Sequence, residues 1–175
     1  MDIVETSTWE GRRLTVVWRD DTFALSCELI TQASGVCFTN QGTIVLVSAR
    51  RRIWQLPGGH PETGESIEEA FIREVAEEAC ATVTDLSYLG AQEVNDPHGS
   101  MGIATHYQAR YWARVTLGEF RSTHETTIRK CVEPSAVKAL LGWRTTRILD
   151  VILQSALACE LEFGYDTATH RLKCR

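Results

Sequence analysis

Near its N-terminus the chain is apolar at every second position, a period typical of strands. This alternation continues on both sides of the acidic pair at positions 20–21. The alternating apolar residues are Leu14, Val16, Trp18, Phe23, Leu25, Cys27 and Leu29. The pattern predicts two strands that turn at the acidic pair, so that residues 1–30 form an N-terminal β-hairpin extension.

Short apolar stretches recur along the rest of the chain and predict the strands of a sheet. They are residues 36–39, 43–48, 83–94, 105–115 and 128–132. Gly42 can adopt the positive φ that a tight turn between the first two of these strands requires. Residues 134–175 predict the C-terminal helices: a short one that starts at Pro134 and a longer one that Thr146 caps and that ends near Glu160.

One segment, residues 66–79, has a clear helical period. Ser66 and Glu69 form the capping-box pattern that starts a helix, because each side chain can bind the main-chain N–H of the other residue. Apolar residues then recur at steps of three and four. They are Ile67, Ala70, Phe71, Val75 and Ala79. The helix is therefore expected to bury one face against the sheet.

The composition favours a single globular domain. The 175 residues include 18 Lys and Arg against 23 Asp and Glu, a formal net charge of −5, and 43% of them are apolar. A chain of this length buries roughly 70% of its unfolded surface, so residues 1–175 are expected to fold as one domain without disulfides or a structural metal. The mild acidity argues against binding of duplex nucleic acid or of an anionic membrane.

The six cysteines are scattered, with no CxxC pair and no Cys/His cluster. Neither a zinc site nor a redox motif is predicted, and the thiols suit a reducing compartment. The N-terminus has no apolar run typical of a signal peptide, and no segment approaches 18 consecutive apolar residues. These patterns predict a cytoplasmic protein that does not enter a membrane.

Three carboxylates crowd one face of the predicted helix. Glu74, Glu77 and Glu78 are spaced at i, i+3 and i+4, which places them within an arc of roughly 100°. Like charges at this spacing oppose one another. A hard divalent cation such as Mg²⁺ would neutralise them, because carboxylate oxygens are its preferred ligands.

A fixed spacing of other residues leads to these acids. Gly59 is followed after five residues by Glu65, and Glu65 after seven residues by Arg73 and Glu74. With the two later glutamates, this spacing resembles the Nudix box, the signature of the Nudix hydrolases, over residues 59–81. The preceding Trp-Gln-Leu-Pro-Gly at 54–58 is also similar to the family's lead-in.

The chain departs from the family pattern at two positions. Cys80 stands in place of the box glycine, and Ala81 stands in place of a bulky aliphatic residue. Neither position carries chemistry, and all the acidic positions are retained. The resemblance implies an α/β (α+β) fold, a Nudix-type α/β/α sandwich with a mixed β-sheet between helices. Family members are often dimeric, and no sequence feature decides whether this chain forms a homodimer.

The resemblance also implies a site for Mg²⁺, with Mn²⁺ as an alternative. Glu77 and Glu78 would be the core metal ligands, and the Gly58 carbonyl would be another. Glu74 would be a further ligand or the group that orients and deprotonates the attacking water. The residues that would support the site structurally are Gly59, Glu65 and Arg73. An ion pair between the last two is expected, because the planar guanidinium suits a fixed carboxylate.

The implied activity is metal-dependent hydrolysis of a phosphoanhydride bond in a nucleoside diphosphate linked to another moiety. A nucleoside triphosphate, ADP-ribose or a nucleotide sugar would qualify, so the expected partner is a small nucleotide. The alternative is a catalytically inactive Nudix-fold module that binds a nucleotide or has a regulatory role. The retained carboxylates argue against this alternative.

Further site residues are predicted outside the helix. Many family members add a carboxylate from a loop well past the box, and Glu125 is predicted to be that catalytic acid here. Glu119 and Glu93 are the alternatives, because loop length varies and spacing alone does not decide. The residues predicted to contact substrate are Arg50, Arg52 and His60.

Overall fold

The computed structural model describes residues 3–9, 11–24, 29–49, 53–97, 104–122, 125–142 and 146–164. The strands are β1 (Val4–Trp9), β2 (Arg12–Asp20), β3 (Ile30–Thr39), β4 (Ile44–Ala49), β5 (Trp54–Gln55), β6 (Gly58–Gly59), β7 (Ala81–Asn95), β8 (Thr105–Leu117) and β9 (Thr126–Val132). The helices are α1 (Ile67–Ala79), α2 (Val137–Leu140), which follows a 3-10 turn at Pro134–Ala136, and α3 (Arg147–Gly164). None of these helices is both long and apolar enough to cross a membrane.

The described strands form one mixed sheet. Its order is β1-β2-β7-β8-β3-β4-β5, with β6 paired to β3 and β9 paired to β4. The pairing of β3 with β8 is parallel, whereas the other pairings are antiparallel. The predicted mixed sheet is therefore confirmed.

Strands β3 and β4 separate soon after the turn that joins them. Their register holds one pair, Phe38 with Ile44. Farther from the turn, β3 pairs with Gly58 and Gly59 of β6, and β4 pairs with β5. The segment that leads to α1 thus fills the gap between two neighbouring strands of the sheet.

Each face of the sheet has its own apolar core. Along β3, Val36 and Phe38 belong to the core under α3, whereas Cys37 between them belongs to the core under α1. The α1 residues Ala70, Phe71, Val75 and Ala79 are all fully buried. On the opposite face, the buried residues of α3 are Ile148, Leu149, Ile152, Leu153 and Ala156. This two-sided burial confirms the predicted α/β/α sandwich.

The N-terminal hairpin differs from the predicted one. A hairpin does form, but it pairs β1 with β2, and the second neighbour of β2 is β7. The predicted return strand that begins at Phe23 is wrong, because Thr22 and Phe23 both donate main-chain N–H groups to Asp20 and turn the chain out of the sheet. Residues 25–28, which include Leu25 and Cys27, lie outside the described residues.

The other elements confirm the sequence pattern, and several extend beyond it. Ser66 and Glu69 form the complete capping box, with N–H to oxygen distances of 3.2 and 2.8 Å. Gly42 has a φ of +76° in the β3–β4 turn. The Thr146 hydroxyl accepts from the Leu149 N–H at 3.1 Å and caps α3, which continues to Gly164.

Cys80 ends α1 in a conformation that favours glycine. Its φ is 47° and its ψ is 50°, in the left-handed region, and among the described residues it alone combines a side chain with a positive φ. The backbone thus keeps the turn that the box glycine would make. The Cys80 thiol donates to the Arg121 carbonyl and accepts from the Arg121 N–H, both at 3.4 Å.

The strain at Cys80 predicts the relative stability of two variants. We expect Cys80→Gly to unfold with a free energy about 1 kcal/mol higher than Cys80→Ala, because a Cβ is costly in the left-handed region. Both variants lose the thiol contacts with Arg121, so their difference isolates the backbone term. Urea denaturation measures both, and an alanine variant as stable as the glycine variant would contradict the strain.

Candidate functional site

The glycine pair Gly58–Gly59 packs between β3 and α1, where a Cβ on Gly58 would overlap backbone and a Cβ on Gly59 would overlap the Glu74 carboxylate. An ideal Cβ on Gly58 would lie 2.3 Å from the Ala33 carbonyl oxygen. A Cβ on Gly59 would lie 2.2 Å from Oε1 of Glu74. The Gly35 N–H also donates to the Pro57 carbonyl at 3.1 Å and fixes the strand just before the pair. Two residues without side chains therefore let the backbone reach the carboxylates of α1.

Arg73 joins the loop to the helix. Its Nε and Nη2 donate to the two oxygens of Glu65 at 2.9 and 3.1 Å, and Nη2 also donates to the His60 carbonyl at 3.0 Å. Its Nη1 donates to Glu74 at 2.9 Å and to Glu77 at 3.4 Å. The expected ion pair with Glu65 is thus present, and it holds the pKa of Glu65 below its usual value.

Glu78 differs from the other two glutamates because neutral groups bind it. Its Oε2 accepts from the Gly58 N–H at 2.9 Å, and its Oε1 accepts from the Thr126 hydroxyl at 3.4 Å. The pKa of Glu78 is raised to about 7, chiefly by burial and in smaller part by the negative charges of Glu74 and Glu125, while the two hydrogen bonds oppose the rise. Within the described residues, no cationic side chain is bonded to this carboxylate.

The structure places the three candidate downstream acids in different surroundings. Glu125 precedes β9 and is near enough to Glu78 to affect its titration. Glu119 is highly exposed and pairs with Arg121 at 2.9 Å. Glu93 lies on β7, where it pairs with Arg19 at 2.9 Å. Of the three, only Glu125 is brought to the carboxylates of α1.

Of the three residues predicted to contact substrate, one lies within the described residues. Arg50 and Arg52 lie outside the described residues. His60 is exposed beside the glycine pair, and its main-chain carbonyl accepts from Arg73. The structure therefore brings His60 to the edge of the site, and its side chain has no described role.

Sequence reasoning missed two residues of β9. Thr126 binds Glu78, as described above. Arg129 donates to the Ala79 and Cys80 carbonyls at 2.6 and 3.2 Å, and to the Gly118 carbonyl at 3.0 Å. The last turn of α1 has no basic residue of its own, so Arg129 supplies the positive charge that the end of a helix favours. No local pattern could reveal this contact, since the partners lie about fifty positions apart.

The carboxylate oxygens around Glu78 are suitable ligands for a hard divalent cation. Among the described residues, no three His, Cys, Asp or Glu side chains are already gathered at metal-binding distance. Two carboxylates nevertheless reach the glycine pair, since Glu78 accepts from the Gly58 N–H and Glu74 lies against Gly59. Glu77 shares Arg73 with Glu74, and Glu125 is near enough to Glu78 to affect its titration. Carboxylate oxygens are the ligands that Mg²⁺ and Mn²⁺ prefer, so the chemistry of the set suits either ion.

Comparison with known proteins gives one family match and several partial relatives. The family model described as NUDIX domain matches residues 29–149. The NAD-capped RNA hydrolase NudC of Pseudomonas putida is 28% identical over 100 residues, which cover 52% of this chain and 36% of that protein. A putative 8-oxo-dGTP diphosphatase of Bacillus subtilis is 40% identical over 52 residues, which cover 29% of this chain and 35% of that protein. The matched regions thus span about a third of these relatives.

Solved structures resemble the whole fold more fully. A Bacillus subtilis pyrophosphohydrolase, BsRppH, superposes with a TM-score of 0.66 at 21% identity, covering 89% of this chain and 97% of that one. A Caenorhabditis elegans Ap4A hydrolase gives a TM-score of 0.54 at 19% identity, covering 75% of this chain and 99% of that one. At these identities the likeness concerns the fold.

The surroundings of Glu78 predict a pH-dependent stability in the absence of metal. Its pKa rises from 4.5 to about 7 on folding, so between these values the folded state holds a proton that the unfolded state has lost. Stability should therefore fall as the pH rises from about 4.5 to 7, by up to about 3 kcal/mol, since one pKa unit corresponds to roughly 1.4 kcal/mol.

Thermal unfolding in a chelator at pH 5 and pH 8 measures this effect. Glu78→Gln keeps an oxygen for the Gly58 N–H but does not ionise, so we expect it to be more stable than the native chain at pH 8 and similar at pH 5. Glu68→Gln, an exposed substitution on the same helix, should follow the native chain at both values. A constant difference between the native chain and Glu78→Gln would contradict the assignment.

Proposed function

The chain belongs to the NUDIX family, and we propose that it is a metal-dependent hydrolase of a phosphoanhydride bond in a nucleoside diphosphate linked to another moiety. The observation that carries the proposal is the partly buried Glu78, whose carboxylate accepts from the Gly58 N–H near Glu74 and has no cationic partner among the described residues. A structural carboxylate in such a place would normally be paired with a cation or replaced by a neutral group. A bound divalent cation would offset the free energy that it costs to bury the Glu78 carboxylate.

Glu74, Glu77 and Glu78, with the Gly58 carbonyl, would hold the ion. When bound, Mg²⁺ or Mn²⁺ supplies positive charge for the diphosphate and a bound water of lowered pKa. Arg73 keeps Glu74 and Glu77 in place through its hydrogen bonds and cannot act as a base.

Glu125 is the residue that we assign as the proton acceptor, with Glu74 as the second candidate. The attacking water transfers a proton to the carboxylate, its oxygen bonds to phosphorus, and the bond from that phosphorus to the anhydride oxygen breaks. Glu125 is exposed and near Glu78, so it can reach solvent and return the proton after each turnover.

The substrate is proposed at the level of its chemical class. The partial relatives are named for NAD-capped RNA and 8-oxo-dGTP, and a structural neighbour is named for Ap4A. Each of these compounds carries a nucleoside next to a phosphoanhydride. Nucleoside triphosphates, ADP-ribose and nucleotide sugars share that feature and form the panel on which the chain is to be tested.

The proposed metal site predicts the effect of neutralising one ligand. We expect Glu77→Gln to lower Mg²⁺-dependent turnover by more than the roughly 10- to 100-fold that is lost when an outer partner of a metal is changed. Glu68 is exposed and lies on the opposite side of the helix from Glu77, so the turnover of Glu68→Gln should stay within about twofold of the native rate. Release of phosphate or nucleotide from the panel measures the turnover of both variants. A Glu77→Gln rate equal to that of the native chain would contradict a metal site on this helix.

The role of Glu125 predicts a different pair of results. Glu125→Gln should lower turnover by about 100-fold or more if it accepts the proton, with little change in the Mg²⁺ concentration that gives half activity. Glu119→Gln, which breaks an exposed pair with Arg121, should leave both values unchanged. A loss in the Glu119 variant, or none in the Glu125 variant, would contradict the assignment.

The same panel tests the alternative of an inactive binding module. Tight nucleotide binding with no turnover in Mg²⁺ or Mn²⁺ would favour that alternative. Turnover that disappears in Glu77→Gln would exclude it.

A further inference from the structure

A buried arginine organises the face of the sheet opposite α1. Arg110, in the middle of β8, is only 1% exposed. It donates to four side-chain oxygens: to Gln92 at 2.8 Å, Gln32 at 3.3 Å, Ser34 at 2.7 Å and Gln108 at 2.6 Å. Burial lowers the pKa of Arg110 to about 9, so the guanidinium is still charged at neutral pH.

These contacts fix the orientation of three glutamines. A guanidinium has donors and no acceptor, so the amide atom that faces Arg110 must be the oxygen in each case. The three NH2 groups therefore point away from Arg110, and each carries two donors. They belong to Gln32, Gln92 and Gln108.

The amide nitrogens are open to a ligand. Among the described residues, the side chains of these glutamines accept from Arg110 and donate to no acceptor. All three glutamine side chains are partly exposed, and none of their amide nitrogens is among the buried polar atoms that lack a hydrogen-bond partner. The donors therefore face solvent or a bound molecule.

The three amides form one row across the sheet. Gln92 is the register partner of Gln108, and Gln108 is the register partner of Gln32. Neighbouring strands lie about 4.8 Å apart, so the row spans roughly 10 Å. Trp18 is the register partner of Gln92 and closes one end, where its ring covers Gly90 so closely that a Cβ there would lie 2.7 Å from it.

Ser34 connects this row to the proposed metal site. Its hydroxyl accepts from Arg110, and its main chain pairs with Gly58, whose N–H binds Glu78. Gln32 lies two residues before Ser34 on the same face of β3, a distance of about 7 Å. The donor row therefore begins within roughly 10 Å of the strand that carries the glycine pair.

We propose that Gln32, Gln92 and Gln108, oriented by Arg110, recognise the base of the substrate and select guanine over adenine. The inference rests on the proposed function, because it assigns the organic half of the same substrate. Guanine presents two adjacent acceptors, O6 and N7, to a row of donors. Adenine presents an amino group in place of O6. That group is itself a donor, so it cannot accept a hydrogen bond from the amide N–H groups.

Binding of GMP and AMP tests the selection without turnover, since neither contains a phosphoanhydride. Isothermal calorimetry of the full chain, with Mg²⁺ and in a chelator, should show GMP binding at least about tenfold more tightly than AMP. Equal affinities, or no binding of either at millimolar concentration in both conditions, would overturn the proposal.

Glutamate substitutions test the orientation of the amides. Gln92→Glu and Gln108→Glu keep an oxygen toward Arg110 but replace the outward donor with an acceptor, so the ratio of GMP to AMP affinity should fall by about tenfold or more. The new negative charge repels the phosphates of GMP and AMP equally, so this repulsion does not change the ratio of their affinities. Gln41→Glu, an exposed change in the β3–β4 turn, should leave the ratio unaltered.

The outcomes separate this inference from the proposed function. An unchanged ratio in a folded glutamate variant would show that the network is only structural and would overturn the inference. If both variants fail to fold, the native ratio of GMP to AMP decides. A guanine preference in a chain that hydrolyses no nucleotide would leave the inference standing and reject the proposed function.

Discussion

The crowding of negative charge on one face of α1 is the constraint on which the rest of the site depends. Glu74, Glu77 and Glu78 lie in the second half of the helix, where the helix dipole is also negative. Helix α1 has no basic residue in its last turn. The opposing charge comes instead from Arg73, which binds Glu74 and Glu77, and from Arg129 on β9, which binds the main-chain carbonyls at the end of the helix. Glu78 is left to neutral donors, which is why its surroundings suit a metal ion.

The sheet creates the place in which this charge is held. Because β3 and β4 part after a single register pair, the backbone at Gly58 can pair with β3 and still turn its N–H toward Glu78. The absence of side chains at the glycine pair brings main chain and carboxylates into contact. Opposite this point, β9 contributes Thr126 and Arg129 from the outer side of β4. The separation of β3 from β4 and the pairing of β9 with β4 thus both contribute to the same site.

The two faces of the sheet treat charge in opposite ways. On the α1 face, the carboxylates of α1 form a site that suits a cation, and Arg73 binds two of them. On the α3 face, the buried Arg110 is surrounded by neutral amide oxygens that orient the amides outward. A buried charge with polar partners is costly unless every partner is well aligned, so both arrangements specify geometry more than they add stability.

The sequence by itself determined the family, the helix α1 and the residues of the box. Those signals are local: the capping box, the three- and four-residue steps of the apolar face, and the spacing from Gly59 to Glu78. The family prediction and the sandwich fold are confirmed, whereas the roles assigned to the acids stay predictions. The hairpin shows where local patterns fail, since the alternation that begins at Phe23 is typical of a strand, yet the two neighbours of β2 in the sheet are β1 and β7.

Only the tertiary structure decided which distant residues meet α1. Sequence spacing alone does not decide between Glu125, Glu119 and Glu93, whereas in the fold Glu125 lies near Glu78 and the other two each pair with an arginine. Arg129 and the glutamines around Arg110 carry no signal at all in the sequence. Their roles arise from strand register, which joins residues far apart along the chain, and register depends on the packing of the whole sheet rather than on any local run of residues.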